Sequence, residues 1–256
     1  MMLDSQYKLI VDGARRHGAT FPTQADWLDF KAAIDAAVGP PEAPQAPERA
    51  PEAPFDLPAF FDALRASKAL GPTLSESEVN GCEAILAACK GWPASWTAYA
   101  LATAVVETAG TMQPIKEIGG AAYFRRMYDI EGNRPAKARE LGNLTPGDGA
   151  RYAGRGYVQL TGRRNYGKAA AALGHPLVAN PDLAMRPDIA AQIMVQGMEG
   201  GWFTGKSLAT YLPASGPATL AQFKEARRII NGQDRATEIA GYALEFQKAL
   251  KAGGWA

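Results

Sequence analysis

The chain has 256 residues, a formal net charge of +1, 47% hydrophobic and 21% charged residues. That length holds one medium domain plus a small one, and the composition is that of a soluble globular protein. Near-neutrality removes the electrostatic case for nucleic acid. No apolar run approaches the roughly 18 residues of a membrane-spanning helix, so membrane insertion is not expected either.

The first residues, from Met1 to Lys8, lack the apolar core of a secretory signal. Synthesis in the cytoplasm, as a monomer, is expected. Residues 4–38 read as two helices. Thr23 and Asp26 stand where an N-cap and an early acid belong. Trp27, Phe30, Ile34 and Val38 then recur at three-to-four spacing. Residues 1–39 are taken as an N-terminal helical module, too short to bury much core alone. Residues 40–58 form a proline-rich linker, semi-rigid and extended. Residues 59–256 form the main domain.

From residue 56 the pattern is mostly helical. Phe60, Phe61 and Leu64 mark a helix ending at Gly71. Ser75 and Glu78 make a capping-box pattern before Val79, Cys82, Leu86 and Cys89, and Gly91 stops that helix. The two cysteines lie seven residues apart, about 10 Å along a helix, too far for a disulfide. They read as buried thiols. His17 and His175 are far apart in sequence, so neither a metal site nor a cofactor is expected. Ser95 is placed as the cap of a third helix, apolar almost all round and therefore buried. Residues 129–156, rich in Gly, Pro, Asn and Asp, read as loop. Tyr157 to Leu160 is a short strand candidate. Helices resume near Arg163, Asp188, Leu220 and Thr237. Lys224, Arg227, Arg228 and Arg235 cluster in sequence, which reads as a solvated helix face.

Three features bear on chemistry. Glu107 ends the apolar third helix, where desolvation and the negative helix terminus both disfavour its charged form, as a general acid requires. Glu117 follows ten residues later, past Gly110 and Pro114, which can turn the chain back so that the two carboxylates face each other. Either acid alone also reads as a surface carboxylate. Gly154-Arg155-Gly156 permits a close backbone approach. Gln159 and Thr161 would then share one polar strand face, suited to sugar hydroxyls or a nucleophilic water. The segment from Gly200 to Ser207 fits a phosphate-loop pattern, but that loop must follow a strand. Here it follows a helical sequence, with Trp202 and Phe203 where a compact nest is wanted.

These motifs resemble family-19 glycoside hydrolases, the chitinase-like group, and more closely the phage endolysins among them. The resemblance rests on Glu107 to Glu117, Gly142 to Gly149, Tyr152 to Tyr166, and Arg228 to Gly232. It implies a mainly α, lysozyme-like fold of two lobes with a small β element at the cleft. It implies an inverting hydrolase of the N-acetylmuramic acid/N-acetylglucosamine backbone of peptidoglycan, acting on the periplasmic wall of the host after release. Glu107 would be the general acid, Glu117 the general base, and Thr161 the hydroxyl that helps hold the attacking water. Gln159, Asn165 and Asn231 would line the sugar cleft, with Tyr152 and Arg155 of the same motif completing the substrate-binding set. The N-terminal module would then bind or position the wall, or act as a spacer. A chitinase of the same fold, or a non-catalytic glycan-binding or virion protein, are the alternatives. Two departures stand out. Val106 replaces the histidine that plant members carry before the acid. Glu245 falls near where they carry an arginine, which would remove an ion-pair partner of the acid.

Overall fold

A computed structural model describes residues 54–67 and 69–255. The readings on residues 1–39 and on most of the 40–58 linker lie outside these. The described chain is mainly helical, with one two-stranded sheet among the described residues. In chain order the elements are α1 (Leu57–Arg65), α2 (Glu76–Ala88), α3 (Ala94–Glu107), β1 (Ile115–Lys116), α4 (Ala121–Tyr128), α5 (Pro135–Leu141), α6 (Asp148–Arg151) and β2 (Arg155–Gly156). After these come α7 (Arg163–Leu173), a 3-10 turn (Pro181–Met185), α8 (Pro187–Glu199), α9 (Leu208–Tyr211), α10 (Leu220–Ala226), a second 3-10 turn (Arg227–Ile229) and α11 (Ala236–Ala252).

The helix α1 starts two residues inside the stretch read as linker. Asp56 caps it, its Oδ1 accepting from Ala59 N at 2.9 Å. Pro58 falls in the first turn, where no backbone donor is needed. The helix also stops at Arg65, short of Gly71, which turns left-handed at φ 88°. Helix α2 opens with the expected capping box: Ser75 N donates to Glu78 Oε2 at 2.7 Å, and Glu78 N to Ser75 Oγ at 3.3 Å. Cys82 and Cys89 are both free and buried, and burial pushes both thiols up.

Helix α3 is the axis of the core. Residues 97–106 are buried on every side, as its uniform apolarity demands. It packs on α11, which also meets α1 and α10. Ser95 is not its cap. Pro93 takes that position, and the Ser95 hydroxyl donates to Pro213 O at 2.8 Å, a tertiary partner invisible in the local sequence. The two ends of the described domain also meet. Asp56 N donates to Gly253 O at 2.8 Å, and the Phe55 and Trp255 rings lie 5.0 Å apart.

The stretch read as loop, residues 129–156, contains α5, α6 and β2. Each is a turn or two long, so hydrophobic periodicity has no length in which to show. The expected strand at Tyr157–Leu160 is displaced. β2 is Arg155–Gly156, antiparallel to β1, with Ile115 opposite Gly156 and Lys116 opposite Arg155. Residues 157–159 turn the chain, and Leu160 returns to bridge Arg155. The phosphate-loop pattern after Gly200 follows helix α8, not a strand, which removes the geometry a phosphate would need.

Candidate active site

Glu107 is the last residue of α3, where the fold brings it to the edge of the core. The helix ends in a Schellman turn, with Gly110 N donating to Val105 O at 2.7 Å and Ala109 N to Val106 O at 3.4 Å. Ala109 occupies the left-handed position at φ 51°, which usually goes to glycine. Thr108 ties the turn down. Its hydroxyl donates to Ala104 O at 2.7 Å and accepts from Met112 N at 3.0 Å.

Glu107 is not the isolated, desolvated acid expected from sequence. Arg227 Nη1 donates to its Oε1 at 2.7 Å. Arg227 is 2% exposed, and its Nε is fixed by Asp234 O at 2.8 Å. A basic run read as a solvated face thus supplies one buried guanidinium, because the 3-10 turn after α10 rotates Arg227 inward while Arg228 pairs outside with Glu225. The ion-pair partner thought lost at Glu245 is therefore provided from another element. Glu245 itself pairs with Lys248 at 2.8 Å. Asn231 sits in the turn after Arg227, its backbone N donating to Arg227 O at 3.0 Å, with an exposed side chain.

Glu117 directly follows β1, and its N donates to Gly154 O at 2.9 Å, extending the ladder. Its carboxylate is held by neutral donors: Tyr128 hydroxyl to Oε1 at 2.8 Å, and Gly154 N to Oε2 at 3.2 Å. Burial, then the hydrogen bond to Glu117, pushes Tyr128 up to about 12, so it stays a donor at working pH. Sequence reasoning missed Tyr128; nothing in its spacing from Glu117 marks it.

Glu117, Gln159 and Thr161 converge on Gly154. A Cβ built there would lie 2.8 Å from Gln159 Oε1 and 3.1 Å from both Glu117 Oε2 and Thr161 Oγ1. The shared strand face is not the cause. Gln159 is left-handed at φ 52°. Its Nε2 donates to Ile115 O at 3.0 Å and Gly156 O at 3.2 Å, which pins the turn to β1. Thr161 Oγ1 donates to Gln159 O at 2.8 Å, leaving its lone pairs for a further donor. Asn165 Nδ2 donates to Thr161 O at 2.8 Å. Four non-glycine residues have positive φ among the described residues: Ala109, Met112, Gln159 and Arg235. Gln159 is itself a candidate residue, Ala109 follows Glu107 by two residues, Met112 lies between Glu107 and Glu117, and Arg235 donates to Val106 O at 3.2 Å; strain of this kind concentrates at functional sites.

Tyr152 and Arg155 do not join this cluster. Tyr152 is 1% exposed and donates to Val178 O at 3.1 Å. Arg155 is 4% exposed and donates to Asp182, Arg151 O, Ala153 O and the Tyr166 hydroxyl. Most of their polar groups are used in holding the corner together.

The site thus holds a carboxyl at a helix end beside one cation, and a second carboxyl sharing a small space with a hydroxyl and an amide, two settings of the kind that acid–base chemistry uses. Residues 90–205 match the model of glycoside hydrolase family 19, described as chitinase class I. An endochitinase of Arabidopsis thaliana is 27% identical over 206 residues, which cover 75% of this chain and 63% of that relative, less than two thirds of its length. Acidic endochitinase Q of Nicotiana tabacum is 64% identical over 33 residues, 13% of each chain. Among solved structures, chitinase C of Streptomyces griseus aligns with 22% identity over 78% of each chain at a TM-score of 0.48. The matched segment spans a little under half of the chain.

Proposed function

We propose that this protein is an endolysin that hydrolyses the glycan backbone of peptidoglycan by a single displacement with inversion. Glu107 gives its proton to the glycosidic oxygen as that bond breaks. Glu117 takes a proton from a water whose oxygen bonds to the anomeric carbon from the opposite face, with Thr161 and Gln159 orienting that water. The observation that carries the reading is the convergence of Glu117 Oε2, Thr161 Oγ1 and Gln159 Oε1 beside Gly154. The missing side chain there lets the three oxygens gather around one point, as groups that share a water would. Asn165 steadies the Thr161 backbone, and Asn231 offers an exposed amide on the Glu107 side.

The test is loss of turbidity of outer-membrane-stripped Gram-negative cells, comparing wild type with Glu107→Gln and analysing released fragments by mass spectrometry. Wild type should lyse the cells and leave new reducing sugar ends. Glu107→Gln should lose roughly 10²- to 10⁴-fold in rate, the usual contribution of a positioned acid. Lysis by both would remove Glu107 from the acid's role. A second reading, chitin as the substrate, is favoured by the chitinase class I match and the endochitinase relatives. Turnover of soluble chitin oligomers with no action on walls would establish it in place of the first.

A further inference from the structure

A pocket of about 520 Å³ opens where α4 ends, lined among others by Arg125, Arg126, Asp129, Glu131, Asn133 and Gly147. The final turn of α4 thus serves two places: it delivers Tyr128 to Glu117 and sets the two arginines on this pocket. The wall of the pocket includes Asp129, which is 3% exposed. Its Oδ2 accepts from Gly147 N at 2.7 Å and Gly149 N at 3.2 Å, while its buried Oδ1 has no hydrogen-bond partner among the described residues. A buried carboxylate oxygen without a donor is costly, and such a group calls for a partner. Gly147 borders it with open space where a side chain would project.

The charges around that oxygen are equally unmatched. Arg125 and Arg126 are exposed and form no ion pair with a carboxylate among the described residues, and neither does Glu131. The pocket therefore sets two guanidiniums beside two carboxylates, none of them in an ion pair among the described residues, with Arg126 lying 5.8 Å from the centre of the Tyr123 ring. A neutral sugar chain can hydrogen-bond to such groups but carries no charge to balance theirs. A ligand carrying both carboxylates and an ammonium satisfies both signs: guanidiniums take carboxylates in paired hydrogen bonds, and exposed Glu131 takes the ammonium, with the buried Asp129 charge behind it.

We propose that this pocket binds the peptide stem of the wall polymer, a short peptide with free carboxylates and a primary ammonium, while the glycan lies against Glu117. The proposal rests on the peptidoglycan reading above and gives the site a preference for glycan that still bears peptide.

The experiment measures KM on two soluble glycan strands, one bearing its stem peptides and one stripped of them by an amidase. It uses wild type and Arg125→Ala/Arg126→Ala, both exposed positions, with melting temperature as the folding control. A free stem tripeptide ending in a diamino acid is titrated into each protein by calorimetry. Wild type should show a KM at least about tenfold lower on the peptide-bearing strand. The double variant should lose that advantage, keep the wild-type rate on the stripped strand, and no longer bind the tripeptide. Cleavage of both strands at one KM, with no tripeptide binding, overturns the pocket assignment alone. Absence of cleavage on either strand overturns the peptidoglycan reading and the pocket assignment with it.

Discussion

Glu107 and Glu117, the two carboxylates of the proposed reaction, stand in opposite surroundings. Glu107 stands at the end of a 14-residue helix buried along most of its length, and its partner is a single buried guanidinium. Glu117 stands after a two-residue strand, in a corner built from turns, and its partners are a hydroxyl and a backbone N–H. The first setting gets its precision from packing, the second from a mesh of hydrogen bonds through Tyr128, Gly154, Gln159 and Thr161. A helix places one charge firmly. A corner of turns places several neutral groups around a small volume, which is what holding a water requires.

The comparison can be broken most forcefully at Arg227. Replacing it by Met should cost about 3 kcal/mol in a denaturant melt, since it strips a largely buried pair of one member. The Glu107 side chain is 22% exposed, which keeps the loss at the lower end. A loss below about 0.5 kcal/mol would mean the packing of α3 holds Glu107 without help.

Alkaline titration should separate the two regions next. Burial holds Tyr128 and Tyr166 up at about 12, against an ordinary 10, although Arg155 pulls Tyr166 the other way. Protonated tyrosine is therefore favoured by folding. That contribution is complete below pH 10 and is lost as pH rises through about 12. For buried Tyr166 it amounts to about 2 to 3 kcal/mol. Amide exchange across this window should show the Gly154–Thr161 corner opening before α3. Simultaneous opening would show that one cooperative unit spans both.

Gly154→Ala sharpens the comparison within the corner. Its new methyl would press on Glu117, Gln159 and Thr161, closest on the Gln159 amide that pins the turn to β1. The corner should loosen, lowering the melting temperature, and kcat measured below that temperature should fall at least about tenfold, equivalent to about 1.4 kcal/mol. Unchanged kcat would place the water elsewhere. The smallest effect is expected at Ala109→Gly in the turn after α3. Relief of a left-handed alanine costs the unfolded chain some of its restriction in return, so a net gain below about 1 kcal/mol is expected by thermal melt.

The sequence made some of this legible. The Ser75/Glu78 box and the apolar run to Glu107 were readable because each is a local pattern with enough length to repeat. Arg227 was not, because a short 3-10 turn decides which of two adjacent arginines faces inward. The left-handed Gln159 was hidden for a related reason: its conformation is fixed by Ile115 O, 44 residues away. Tyr152 and Arg155 carry polar groups in a motif-rich stretch, yet these are satisfied inside the corner by Val178, Asp182 and backbone carbonyls. Residue type and spacing identify what chemistry is available; long-range hydrogen bonds decide which groups remain free to perform it.

The meeting of Asp56 with Gly253 and of Phe55 with Trp255 has a practical consequence. Where two ends of a domain touch, a few glycines and serines suffice to join them, and the polypeptide can be reopened elsewhere. The exposed turn at residues 214–217 is a natural place to cut. A circular permutant opened there would move any appended module to a different part of the surface and leave the corner around Gly154 intact, while testing how far the start of α3 depends on its Ser95 hydrogen bond to Pro213 O.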